Sequence, residues 1–336
     1  MGEAEILSFC FGGYPGANRH LREVRDATGL LRHIVTSAGD AASIEGKFFR
    51  EEIKARRPRL VIFGGWHRSY DALLDTALAA GAEGAVLWTS SAVQTELSGE
   101  TPILASLLSD SRIGRYFAAS ASMLDVLAAS GRPAHHLPQP LRIDAVAPRK
   151  RDGVPPEPPI VSLFCAPAEY RRKNAFSCIA ALGAVDAPYV LHLNGLSQRA
   201  EYSSLLAQRE IPHHDHGWMD DTGYARALDG VDLGLQVSLA DSFNYVVAEH
   251  FLRAIPVLVS PMVPCAHGLP LEVARMLVVA NPDDPVEIRT KLRRLLMGAA
   301  ERRELGDIVQ RHIVRVAASN GETSRRALLA AVGRGG

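Results

Sequence analysis

Net charge is the first thing this 336-residue chain lacks. Lys plus Arg and Asp plus Glu number 37 each, so nothing in the bulk electrostatics calls for nucleic acid or an anionic membrane as a partner. Nucleic acid is therefore not expected, while a local basic patch leaves room for peripheral membrane contact. Long apolar runs are missing too: no uncharged stretch of roughly 18 or more residues could span a bilayer as a helix. Glu3 and Glu5 stand where a secretion signal has a basic region followed by an apolar core, so a cytoplasmic location is expected. Cysteine is scarce and scattered. Cys10, Cys165, Cys178 and Cys265 form no C-x-x-C pair, which argues against zinc-ribbon and dithiol redox motifs and predicts free thiols. No G-x-G-x-x-G fingerprint supports a dinucleotide site, no G-x-S-x-G context surrounds Ser90 or Ser91, and no repeat of roughly 20 to 50 residues signals a solenoid.

What is present is alternation. An apolar share of 47% supports sizeable cores, and the length exceeds the roughly 100 to 200 residues of one domain, which predicts two. An apolar run from Ile6 to Phe11 ends in the turn Gly12-Gly13 and leads into a helix from Ala17. Glycines there let a ligand approach the backbone. Strand and helix patterns recur over residues 32–56, 60–80, 85–88 and 114–130, which predicts a parallel sheet covered on both faces. His135 to Pro140 leads out of this first sheet. Residues 147–159, APRKRDGVPPEPP, hold five prolines and no periodicity, and read as a stiff connector. The expected division is a first domain over 1–147, a linker over 148–159, a second domain over 160–320 and a terminal helix over 321–336 packing back on the first domain. Within the second domain, strands are expected at 160–165, 189–193, 233–237, 257–259 and 276–280. Helices are expected at 172–185, 197–208, 223–228, 243–254, 285–296, 301–317 and 323–332. Two α/β halves joined by one linker define a cleft.

The second half is organised around DLGLQVSLADSFNYVVAEHFLRAIPVLVS, residues 232–260, which reads as strand, helix and strand. Asp241 sits at the carboxyl end of the first strand, where open sheets of this kind bind ligands. Either Asp241 or Ser242 can cap the following helix. Glu249 follows after seven intervening residues, a separation of roughly 12 Å along a helix, suited to one elongated polar ligand touched at two points. The plainer alternative is a capping aspartate and a glutamate on a solvated face. Upstream, Arg171-Arg172-Lys173 opens a predicted helix, where three cations oppose the dipole unless an anion is bound or the face is merely solvated. Three histidines and an acid in His213-His214-Asp215-His216 look like a metal cluster. An extended segment points alternate side chains to opposite faces, so no metal is expected there.

The pattern S-x-x-D-S-F-x-x-x-x-x-E followed by P-V-L-V-S, residues 238–260, resembles the donor-binding signature of retaining glycosyltransferases with the GT-B fold, glycosyl transferases group 1 or family 4-like. Most members carry Glu at the first acid and Gly before the Pro. This chain has Asp241 and Ile255 and looks like a divergent member. The resemblance extends over residues 137–332 and implies a GT-B architecture of two Rossmann-like, doubly wound sheets. It implies a hexosyltransferase-like enzyme that moves a sugar from a donor such as a UDP- or GDP-sugar to an unidentified acceptor (a glycan, a lipid-linked molecule or a secondary metabolite) with retention and without metal or other cofactor. Asp241 is then expected on the sugar hydroxyls, Glu249 on the ribose, and Arg172 or Arg171 with Lys173 on the diphosphate. Gly217-Trp218 and Asn194 are expected beside the nucleobase, Ser242, Phe243, Asn244, Gly12 and Gly13 along the donor, and His67 on the transferred sugar. The rival expectations are a catalytically impaired nucleotide-sugar-binding relative, and an epimerase or hydrolase on the same fold.

Overall fold

The computed structural model describes residues 6–11, 15–36, 44–67, 70–143, 158–166 and 169–333. Gly12, Gly13 and residues 144–157, which hold most of the proline-rich connector, lie outside them. The chain forms two compact units, one of Met1–Arg142 with Val316–Gly336, the other of Ile143–Arg315.

In the first unit, β1 (Ile6–Phe11), β2 (Leu31–Thr36), β3 (Leu60–Gly64), β4 (Glu83–Trp88), β5 (Ile113–Ala118) and β6 (Ala134–His136) form one sheet in the order β2-β1-β3-β4-β5-β6. Every pairing is parallel. Because side chains alternate along a strand, nearly continuous apolar runs must bury both faces. Leu7, Phe9, Val61 and Phe63 meet Phe49 and Ile53 of α2 (Ile44–Arg56) and Leu73 and Leu74 of α3 (Asp71–Ala79). Ile6, Cys10, Leu60 and Ile62 meet Leu21 and Val24 of α1 (Pro15–Thr28) and Leu328 and Ala331 of α13 (Ala299–Ala331). Three elements here escape the sequence reading: α4 (Ala92–Leu97), α5 (Thr101–Ser109) and β6, which takes up His135 and His136. The last is three residues long, too short for a periodicity to appear.

In the second unit, β7 (Ile160–Leu163), β8 (Val190–Leu193), β9 (His213–Asp215), β10 (Leu233–Gln236) and β11 (Val257–Val259) take the order β11-β10-β7-β8-β9, again all parallel. Between and after them run α7 (Ala175–Leu182), α8 (Ala200–Gln208), α9 (Asp221–Gly230), α10 (Tyr245–Leu252), α11 (Leu271–Leu277) and α12 (Pro285–Met297). The strand expected at 276–280 is not there. Residues 271–277 are helical, and only Val278 bridges to Val259. The two helices expected at 301–317 and 323–332 are one, α13. Its polar middle does not end it, because Asn320 donates to the Gln139 carbonyl at 2.8 Å and Ser324 to that of Pro138 at 2.9 Å. Among the described residues no helix is long and apolar enough to cross a membrane.

Strand order fixes where each sheet can hold a ligand. In the first, the chain steps from β1 to β2, then returns past β1 to β3 and continues outward. In the second, it runs β7, β8, β9 and returns past β7 to β10. The direction of winding therefore reverses between β1 and β3, and between β7 and β10. At such a reversal the two loops at the carboxyl ends diverge to opposite faces and leave a crevice.

Candidate functional site

The loops following β7 and β10 carry the charged residues singled out above. The helix expected from Arg172 starts only at Ala175, because Asn174 takes a left-handed backbone with φ of 54°. Asparagine tolerates that region better than other non-glycine residues. Arg172 and Lys173 therefore lie in a turn ahead of α7 and face no helix dipole of their own, which corrects the sequence argument for a bound anion. The Leu239 amide donates to the Arg172 carbonyl at 2.8 Å and ties the two loops together.

Asp241 joins this turn from the other side. Its Oδ1 accepts from Arg172 Nη1 at 2.8 Å and from Lys173 Nζ at 3.0 Å, and its Oδ2 from Lys173 at 2.9 Å and from Asn244 Nδ2 at 2.9 Å. Arg172 also donates to the Ala240 carbonyl at 2.7 Å and pairs with Glu169 at 2.5 Å. Lys173 is 4% exposed and Asp241 8%. Burial alone pushes the Asp241 carboxyl up, but Lys173 and Arg172 outweigh it and hold the group below the usual carboxylate range. Burial likewise opposes the Arg172 cation, and Asp241 and Glu169 raise it above its ordinary value. Arg172, and not the exposed Arg171, shares Asp241 with Lys173. Two buried cations converge on one carboxylate at the reversal between β7 and β10.

Neither Asp241 nor Ser242 caps α10. Asn244 does, with φ of 73° and its Oδ1 accepting from the Val247 amide at 3.2 Å. Asp241 thus lies outside the helix, and its distance from the half-buried Glu249 on α10 is not set by helical rise. Ser242 is half-buried, and Phe243 is buried against the Tyr245 ring, so only backbone of Phe243 is offered to a ligand.

Beside this cluster, Asn194 at the end of β8 accepts from the Cys165 amide at 2.9 Å. Asp215 closes β9 and binds one loop to the next: it accepts from the amides of Gly195 at 2.5 Å, Ser197 at 2.8 Å and Gly217 at 2.8 Å, and from the Ser197 hydroxyl at 2.6 Å. Burial works against its charge, and these donors, Ser197 first, bring it below the usual range. Gly195 and Gly217 have φ of 96° and 65°, a region a side chain would strain. Trp218 is 72% exposed. The histidines divide as alternation requires: His213 turns to the Ile211 carbonyl, while His216 meets His192 of β8 at 3.0 Å and packs edge-to-face with His214.

In the first unit, His67 follows β3 at the reversal point of that sheet, half-buried with its ring stacked on Phe11 at 5.2 Å between centroids. Four residues that shape the second unit's site were not singled out from sequence: Glu169, Asn174, Asp215 as a loop clasp, and Gln236. Only Gln236 leaves a signal, a polar side chain inside an apolar strand, where it must find partners. It donates to the Phe164 carbonyl at 2.7 Å.

Comparison with protein-family models finds no match, and comparison with curated proteins finds none either. Solved structures do match. Sucrose-phosphate synthase from Thermosynechococcus elongatus superposes with a TM-score of 0.69 at 16% identity, over 97% of this chain and 99% of that one. HepE from Anabaena, in complex with UDP and glucose, gives 0.68 at 13%, over 98% and 99%. WaaG, a glycosyltransferase involved in lipopolysaccharide biosynthesis, gives 0.63 at 12%, over 95% and 98%. The fold is GT-B, two Rossmann-like parallel sheets in one chain.

Proposed function

We propose that this chain is a glycosyltransferase that takes a sugar from a nucleotide diphosphate sugar and passes it to an acceptor hydroxyl, with retention and without a metal ion. The observation that carries this reading is the convergence of Arg172 and Lys173 on Asp241 at the winding reversal of the second sheet. When the bond between the sugar and the diphosphate breaks, its electrons stay with the phosphate oxygen, and negative charge grows there. Cations already fixed in a site that excludes water stabilise that charge without reorganising. Arginine supplies a planar fork and lysine a compact charge. The acceptor oxygen bonds to the sugar carbon, and its proton passes to the departing diphosphate.

In this reading Asp241 holds sugar hydroxyls while it keeps the two cations aligned, and Glu249 on α10 takes the ribose. Gly195 and Gly217, clasped by Asp215, present backbone to the base, with Trp218 and Asn194 alongside. His67 meets the transferred sugar, with Gly12 and Gly13 along the donor. The same fold in HepE, whose structure contains UDP and glucose, supports a nucleotide sugar as the substrate class. The second reading, a protein that binds the donor and does not transfer it, draws on one observation: the Asp241 carboxylate is already engaged by both cations and Asn244.

A panel of UDP-, GDP- and ADP-sugars incubated with candidate acceptors and a chelator separates these readings. Nucleotide diphosphate release with a product of unchanged anomeric configuration is expected. Activity lost with chelator and restored by a divalent ion contradicts the metal-free site, and tight binding without turnover favours the second reading.

A further inference from the structure

The second unit contains a cavity whose lining includes none of the site residues named above. It measures about 760 Å³ and is bordered by Leu252 at the end of α10, Pro270, and Ile308 and Val314 of α13, with Arg311 and Arg315 on the same helix. Its volume lies in the range that holds a small organic molecule. Ile308, Arg311 and Arg315 are three and then four residues apart, so they share one face of α13. The Gln310 amide donates to the Leu252 carbonyl at 2.7 Å and fixes this wall to α10.

Two arginines supply the charge on this lining. Both are exposed, and among the described residues neither makes an ion pair or hydrogen bond, although Asp307 lies one turn before Arg311. The cavity thus combines an apolar floor with two uncompensated guanidinium groups at its rim. A nucleotide does not match this lining, which has no aromatic ring to stack on. A hydrocarbon body with one anionic end does, because the chain leaves water while the head meets charge without being buried.

We propose that this cavity binds a single-chain acyl carboxylate, its hydrocarbon against Leu252, Ile308 and Val314 and its carboxylate between Arg311 and Arg315. The site is separate from the nucleotide-sugar reading and stands without it. Decanoate, kept below its micellar range, is titrated calorimetrically into the full chain, with decanol, decyltrimethylammonium and inorganic phosphate as parallel arms. Saturable binding of one decanoate per chain is expected, about tenfold or more weaker for each of the other three. The double variant Arg311→Glu/Arg315→Glu is expected to lose at least about tenfold in decanoate affinity. Val314→Trp, which fills the cavity from a position that is 37% exposed, is expected to abolish binding at an unchanged melting temperature. Decanol binding as tightly as decanoate, unsaturable heats with the unaltered protein, or undiminished binding in Val314→Trp overturns the proposal.

Discussion

Asp241 is the residue on which the charged cluster depends. Removing its charge leaves Lys173 buried beside a neutral group while Arg172 keeps Glu169, and an uncompensated buried charge costs about 3 to 5 kcal/mol. Asp241→Asn is expected to lower unfolding free energy in urea by that order at pH 7. A loss below about 1 kcal/mol would mean that water already screens the cluster. Residues of this kind were legible in the sequence, because a run of three cations and an acid at a strand's end are chemically out of place. Asn174 and Asn244 were not. Their contribution is a positive φ at a loop exit, and a conformational tolerance leaves no mark in charge or periodicity.

Elements were read well where the pattern was long and poorly where a cap decided the boundary. The strand and helix alternation of both sheets was legible from period-2 and helical spacing, yet α10 begins at Tyr245 and ends at Leu252, inside the expected 243–254, because Asn244 opens it and Ala254 closes it in a left-handed backbone with φ of 54°. Alanine in that region is disfavoured by about 1 kcal/mol or more, and glycine is not. Ala254→Gly is therefore expected to raise the free energy of chemical unfolding, by about 1 kcal/mol less the entropy that glycine adds to the unfolded chain. A destabilised variant would show that the alanine methyl makes packing contacts of greater weight. The close approach of α13 here is equally specific: a Cβ on Gly306 would stand 2.1 Å from the Ala254 carbonyl oxygen. Strand order was illegible for a different reason. β10 pairs with β7, not with β9, and a crossover leaves no trace in local periodicity.

For the molecule as a whole, buried histidines set the response to acid. Burial keeps the His250 ring neutral; with Nδ1 donating to the Val246 carbonyl, Nε2 is then the acceptor, 2.7 Å from Ser162 Oγ. Burial lowers its pKa to about 4, that of His192 to about 4 and that of His20 to about 3. Below pH 6.5 the unfolded chain takes up protons that these folded rings refuse, so stability is full above that pH and falls as pH drops toward 4. His250 alone accounts for on the order of 3 kcal/mol. Melting temperature is expected to fall steadily from pH 7 to pH 4 and less steeply in His250→Phe. A flat curve over that window contradicts the neutral assignments. Asp241 acts lower, its contribution being lost only below the ordinary carboxylate pKa of about 3.8. The GT-B architecture brings two residues from distant parts of the sequence, Arg172 and Asp241, to one crevice. Nucleotide affinity reports most directly on whether that crevice does what its charge suggests. In calorimetric titrations with UDP, GDP and ADP, at least one should bind the unaltered protein, at least about tenfold more weakly after Lys173→Ala and again after Glu249→Ala. Unchanged dissociation constants in both variants would contradict the account.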